Sequence, residues 1–152
     1  KVMIRLREGD FEYTDNEIAS MLEQMHGLSQ LSISGFVFGA TIGRQLDLKA
    51  ISRIANLALP HPLTIHKAID HTDDPVEGVT QLFEIHNVEA ILTSGGATTA
   101  LQGRDIINSM YKASVGRLQI IAAGKITNEN LSAVRQQLKV QEYHGRRIVG
   151  TI

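Results

Sequence analysis

Short apolar runs rich in Val, Ile and Leu recur about every thirty residues, each followed by a polar turn and then a stretch with helical spacing of its apolar residues. The runs are Val2 to Arg5, Phe36 to Gly39, Leu63 to His66, Ala90 to Thr93, Leu118 to Ala122 and a weaker Glu142 to His144. Repetition of this kind predicts strand-helix units. Because the runs are mostly continuous rather than alternating, they predict strands covered on both faces, the habit of parallel sheets.

The segments between the runs carry helix starts with a physical cause. Thr14-Asp15-Asn16-Glu17 has capping-box spacing, in which the hydroxyl accepts from an early helical N–H while the Glu side chain reaches back. Ile18, Met21, Leu22 and Met25 then form one apolar stripe. Asp47 opens a second helix with Leu48, Ile51, Ile54 and Ala55 facing inward. Asp74-Pro75 starts a third, with Asp as N-cap and Pro where its missing donor costs nothing, and Val79, Leu82 and Phe83 as the buried face. Two more helices are predicted around Ile106 to Met110 and Leu131 to Leu138, the latter capped by Thr127 or Asn128. Met21, Met25 and Met110 fall at helical core positions and read as packing residues, not a soft-metal site. His61, between Pro60 and Pro62, is expected in a solvated turn.

A parallel strand-helix series either closes into a barrel or winds both ways around an open sheet, and the strand ends discriminate. Arg5 and Arg7, Gly39, His66 and Lys67, Thr93 to Gly96, Gly124 and Lys125, and His144 stand at successive strand ends. A barrel gathers all strand ends at one mouth, whereas an open sheet uses mainly the crevice where strand order reverses. So many polar ends favour the barrel, in a single domain over residues 1–152. Barrels of eight units need about 250 residues. The six strands counted here leave about two units to be supplied, and the opening Lys1-Val2-Met3-Ile4, which lacks an initiator methionine, places them before Lys1. Uncovered first and last strands would be open edges that invite pairing with another chain.

Composition sets the outer bounds. With 43% hydrophobic and 20% charged residues the chain has enough apolar material for a core. The net charge of -1 provides no uniform basic field for a phosphate backbone, so nucleic acid is not an expected partner. With 0 Cys, disulfides and thiolate metal ligands are excluded, and a reducing cytoplasm is permitted. No apolar run approaches the roughly 20 residues of a spanning helix, and no signal-peptide pattern opens the chain, so a soluble protein without membrane partners is expected.

Five motifs, in order and at barrel spacing, resemble those of the copper homeostasis protein CutC family. They are Ile4-Arg5-Leu6-Arg7-Glu8-Gly9-Asp10-Phe11, Phe36-Val37-Phe38-Gly39, Ile65-His66-Lys67-Ala68-Ile69-Asp70, Leu92-Thr93-Ser94-Gly95-Gly96 and Tyr143-His144-Gly145. The resemblance covers nearly the whole chain. It implies an α/β parallel (β/α)8 TIM barrel, present here as strands three to eight, that is cytoplasmic, homo-oligomeric and linked to copper handling. Arg5, Asp10, His66, Asp70, Ser94 and His144 match the family pattern. Leu6 stands where a proline is usual, Glu8 and Lys125 where glycines are, and Lys67 where an arginine is.

Two chemistries are open at such a mouth. Cytosolic Cu(I) prefers thiolate and thioether ligands, which this chain supplies poorly; His66 and His144 are candidate imidazole ligands, but two histidines without a third ligand make a weak site. His66 has the alternative of hydrogen bonding to a neighbouring strand end, such as the backbone of Arg5 or Thr93. The second chemistry is an enzyme or binding protein for a small anion. Arg5 and Arg7 are suited to grip a carboxylate or phosphate, Ser94-Gly95-Gly96 would present backbone N–H groups at the start of the next helix, and Gly124-Lys125 would add a similar turn. Thr93, Asp10 and His144 complete the candidate ligand-binding set. An oriented base, His66 with Asp70, and a nucleophilic Lys67 are conceivable, yet neighbours on a strand point to opposite faces. With His66 inward, Lys67 is expected toward the helices, and Asp70 is expected to cap the turn that follows. A structural or assembly role without ligand is the third reading.

Overall fold

The computed structural model describes residues 1–149. Eight strands and five α-helices follow in chain order: β1 Val2–Met3, α1 Asp15–Leu28, β2 Phe36–Phe38, β3 Thr41–Ile42, β4 Gln45–Leu46, α2 Leu48–Ala58, β5 Leu63–Ile65, α3 Pro75–Gln81, β6 Val88–Thr93, α4 Arg104–Ser114, β7 Gln119–Ala122, α5 Leu131–Gln137 and β8 Glu142–Tyr143. Two short 3₁₀ turns, Lys67–His71 and Leu82–Glu84, interrupt the scheme.

Six strands form one sheet in the order β1-β2-β5-β6-β7-β8, every neighbouring pair parallel. The order never reverses, which rules out a doubly wound sheet and gives the strand arc of a TIM-like barrel. All the polar strand ends therefore sit on one rim, as the apolar runs predicted. Continuous burial on both faces is clearest in β5, where Leu63, Thr64 and Ile65 are all inaccessible.

The helices begin where the capping residues stand. Thr14 Oγ1 accepts from Glu17 N at 3.2 Å while Glu17 Oε2 accepts from Thr14 N at 2.8 Å, closing the capping box. Asp47 accepts from Ala50 N, and Asp74 from Val76 N and Glu77 N ahead of Pro75 at the first turn. Met21, Met25 and Met110 lie in the core with Phe36, Phe38, Ile51, Ile54 and Ile91.

Two local expectations need correction, and one hairpin is added. The residue before α5 is Asn130, whose side chain holds Thr127 N and Lys125 O. Neither Thr127 nor Asn128 is the cap; Thr127 pairs with Arg147 in an isolated strand-like bridge, and Asn128 N donates to Arg147 O. Thr41 to Leu46 forms the antiparallel hairpin β3-β4 around a two-residue turn whose first residue, Gly43, has φ +56°. His61 is half-buried, its Nε2 3.3 Å from the Ser29 carbonyl and its ring edge-on to Phe36.

Candidate functional site

The strand ends continue the sheet pairing onto the rim. Ile4 N donates to Val37 O, His66 N to Phe38 O, Ala123 N to Thr93 O and His144 N to Ala122 O, all between 2.7 and 3.0 Å. This fixes the backbone immediately below each polar side chain. A cavity of about 620 Å³ opens over the β1, β5 and β6 part of that rim. Its wall is built by Met3 and Arg5 from the end of β1, Phe11 from the following loop, Arg44 from the hairpin, His66, Lys67, Asp70 and His71 after β5, Leu92 within β6, and Ser94 and Gly96 to Thr98 after it.

His66 is the buried polar group of this wall, 3% exposed. Its Nδ1 accepts from Ala68 N at 3.1 Å, across its own turn and not from a neighbouring strand end, so the ring proton resides on Nε2. Nε2 has no hydrogen-bond partner among the described residues. Phe11 packs on the ring at 4.7 Å and on His71 at 5.1 Å, and the Arg5 guanidinium lies 4.7 Å over the Phe11 ring. Gly39, at the end of the intervening strand β2, makes room for this: a Cβ there would stand 2.7 Å from His66 Nδ1. The gap between Arg5 and His66 is thus open because the strand between them ends in glycine.

Burial first, then the nearby Arg5 charge, pushes the His66 pKa down from 6.5 to about 4, so the ring is neutral at pH 7. The unfolded chain takes up this proton before the folded chain does as pH falls. The stability is therefore complete above pH 6.5 and declines by up to about 3 kcal/mol as pH approaches 4. His66→Asn keeps an acceptor for Ala68 N–H but cannot titrate. Urea midpoints at pH 7 and about pH 4 are expected to lie closer together in the variant; equal separation in both proteins would refute the assignment.

Asp70 does not cap its own turn. Its side chain, 5% exposed, crosses to the end of β6, where Oδ1 accepts from Thr93 Oγ1 and Oδ2 accepts from Ser94 N at 2.9 Å. The Ser94 hydroxyl, 2.9 Å from Oδ2 and 2.8 Å from Ala97 O, divides its one proton between them. Gly95 N donates to Thr93 Oγ1. The Ser94-Gly95-Gly96 turn is thereby fixed from inside, with two of its N–H groups taken up, and it does not open a helix, since α4 starts only at Arg104. Lys67 also departs from expectation. β5 ends at Ile65, so strand alternation no longer governs residue 67, and its side chain lines the cavity with Nζ 3.8 Å from Asp70 Oδ2.

The structure thus brings Arg5, His66, Ser94 and Gly96 together on the cavity wall, with Thr93 and Gly95 directly behind. Arg7 faces its own loop, with Nε 2.6 Å from Glu17 and one terminal nitrogen 2.9 Å from Asp10, whose carboxyl is held below its ordinary pKa by that pairing. Gly124 packs behind Ser94 and Ala100, while Lys125 and His144 are exposed and off the cavity wall. His144 follows β8, three strand spacings from His66, roughly 14 Å along the sheet. Among the wall residues outside the candidate set are Phe11, Arg44, Lys67, Asp70 and His71.

The cavity at the carboxyl ends of parallel strands is where barrel proteins hold ligands. Residues 1–149 match the CutC family. The chain belongs to that family. A "family protein CutC" of Glaesserella parasuis serovar 5 (strain SH0165) is 35% identical over 144 residues, which cover 94% of this chain and 59% of that one. A "Copper homeostasis protein cutC homolog" of Caenorhabditis elegans is 34% identical over 143 residues, 93% of this chain and 57% of the other. The chain therefore spans less than two thirds of these relatives. A crystal structure of a Streptococcus agalactiae protein described under copper homeostasis protein CutC superposes with a TM-score of 0.88 at 28% identity, over 96% of this chain and 71% of that one. Two departures from the CutC pattern acquire a structural meaning. Lys67 retains a cation at the cavity in place of arginine, and Lys125, where glycine is usual, adopts φ +51°, a left-handed conformation that disfavours side chains.

Proposed function

We propose that the mouth cavity binds a small molecule bearing a phosphate or carboxylate group. The observation that carries this reading is the unpartnered Nε2–H of buried His66 on the same wall as the Arg5 and Lys67 cations. A buried donor without an acceptor is costly, and an anion that reached it from the side of the two cations would remove that cost. The Asp70 carboxylate, 3.8 Å from Lys67 Nζ, offsets part of that positive charge, and Arg5 is the wall cation with no acidic partner among the described residues. An enzymatic step is not part of this reading.

The relatives' names support a second reading, copper handling. The donor set fits a tight Cu(I) site poorly: the chain has 0 Cys, Met21, Met25 and Met110 are buried in the core so that Met3 alone brings a thioether to the cavity wall, and among the described residues no group of three His, Asp or Glu side chains is placed to hold a metal. A Cu(I) titration under reducing conditions addresses it, and no binding at micromolar levels counts against direct copper binding. We further propose a single barrel domain completed by two more strands, since β1 and β8 are each paired along one side only among the described residues. A cytoplasmic setting is supported by the lack of cysteine, and association with further copies, through the helices and not the sheet edges, by the family resemblance. No helix among the described residues is long and apolar enough to cross a membrane.

Thermal unfolding with phosphate or carboxylate compounds tests the anion reading, because a ligand of the native state raises the melting temperature. Arg5→Gln is expected to weaken the response about tenfold or more, a charged hydrogen bond contributing about 1.5–3 kcal/mol. Lys125→Gln, off the cavity, is expected to leave it intact. Equal responses in the two variants would contradict the proposal.

A further inference from the structure

We infer that the ligand of this cavity is an amphiphilic anion, a charged head on an apolar body, and not a bare oxyanion; the inference rests on the anion reading above. The cations and the His66 donor occupy only part of the wall. Met3, Phe11, Leu92 and Ala97 supply the rest. Leu92 is half-buried although it lies in a central strand paired on both sides, and Met3, on the edge strand β1, is 53% exposed. Leu92 would lose its remaining water-facing apolar surface against a ligand with carbon of its own. A cavity of about 620 Å³ lies in the range that encloses molecules of roughly drug size, of which an inorganic oxyanion fills a small share. The Arg5 guanidinium lies over Phe11 with its Nε and one terminal nitrogen donating to Arg7 O and Gly9 O, which leaves the other terminal nitrogen for the head while the Phe11 ring backs the body.

Calorimetric titration of the 152-residue chain with acetate, butanoate, hexanoate, hexanol and inorganic phosphate tests this. Affinity is expected to rise by about fourfold per methylene from acetate to hexanoate, as burial of about 0.8 kcal/mol per CH₂ requires. Hexanol is expected to bind about tenfold more weakly than hexanoate. Met3→Ser, a change at an exposed position that leaves the core intact, should flatten the chain-length dependence. If acetate and phosphate bind as well as hexanoate and all depend on Arg5, the apolar body is refuted and the anion reading survives. Hexanol binding as well as hexanoate refutes the anion reading, and absence of binding across the series refutes both.

Discussion

Asp70→Ala is expected to destabilise the protein by about 3 to 5 kcal/mol, roughly 6–15 °C in melting temperature for a chain of this size. The carboxylate is almost inaccessible and satisfies Thr93 Oγ1 and Ser94 N, on residues that are themselves 0% and 1% exposed. Truncation removes the acceptor of Ser94 N and leaves Thr93 Oγ1 only the Met110 sulfur at 3.7 Å, each loss costing on the order of 1–3 kcal/mol. Asp70→Asn retains one carbonyl acceptor and is expected to lose markedly less. Chemical unfolding of the three proteins checks this; an alanine variant within about 0.5 kcal/mol of the parent would mean that the β6 end does not depend on Asp70.

Gly103→Ala is expected to cost more than about 3 kcal/mol and to abolish the ligand response in whatever fraction remains folded. Its φ of −89° suits any residue, so the reason is space alone. A Cβ at 103 would stand 1.9 Å from Ser94 O, and one at Gly95 would stand 2.4 Å from Gly103 O. Both obstacles are backbone and cannot swing aside. The two glycines let the chain from 95 to 103 fold back on the end of β6, which is what places Gly96, Ala97 and Thr98 on the cavity wall. A Gly103→Ala protein with parental melting temperature and parental ligand response would show that this close approach is dispensable.

The parallel sheet was legible because doubly covered strands leave continuous apolar runs, and the rim was legible because parallel strands end together. Thr14, Asp47 and Asp74 announce their helices through bonds that close within three residues. What the sequence concealed is non-local or too short for periodicity. Asp70 was read as a local cap because its acceptor role is exercised 23 and 24 residues away. Lys67 was sent to the helices by extending strand alternation past Ile65, where the backbone already turns into a 3₁₀ helix. The hairpin strands β3 and β4 have two residues each, below any window in which alternation registers. Sharing a rim did not bring Lys125 or His144 to the cavity, which is centred on β1, β5 and β6. Phe11 had a sequence signal, an aromatic residue in the loop that leaves Arg5, though nothing in its spacing showed that it would pack between His66 and His71.

The central claim is that a neutral His66 presents an unpartnered Nε2–H to an anion held beside Arg5 and Lys67. Long-range proton-nitrogen NMR of the His66 ring tests it most directly, recorded with and without hexanoate. The expected result is a proton on Nε2 at pH 7, with a resonance that shifts on titration in the parent and stays fixed in Arg5→Gln. A ring protonated on Nδ1, or one indifferent to the anion while binding is seen elsewhere, would contradict the claim.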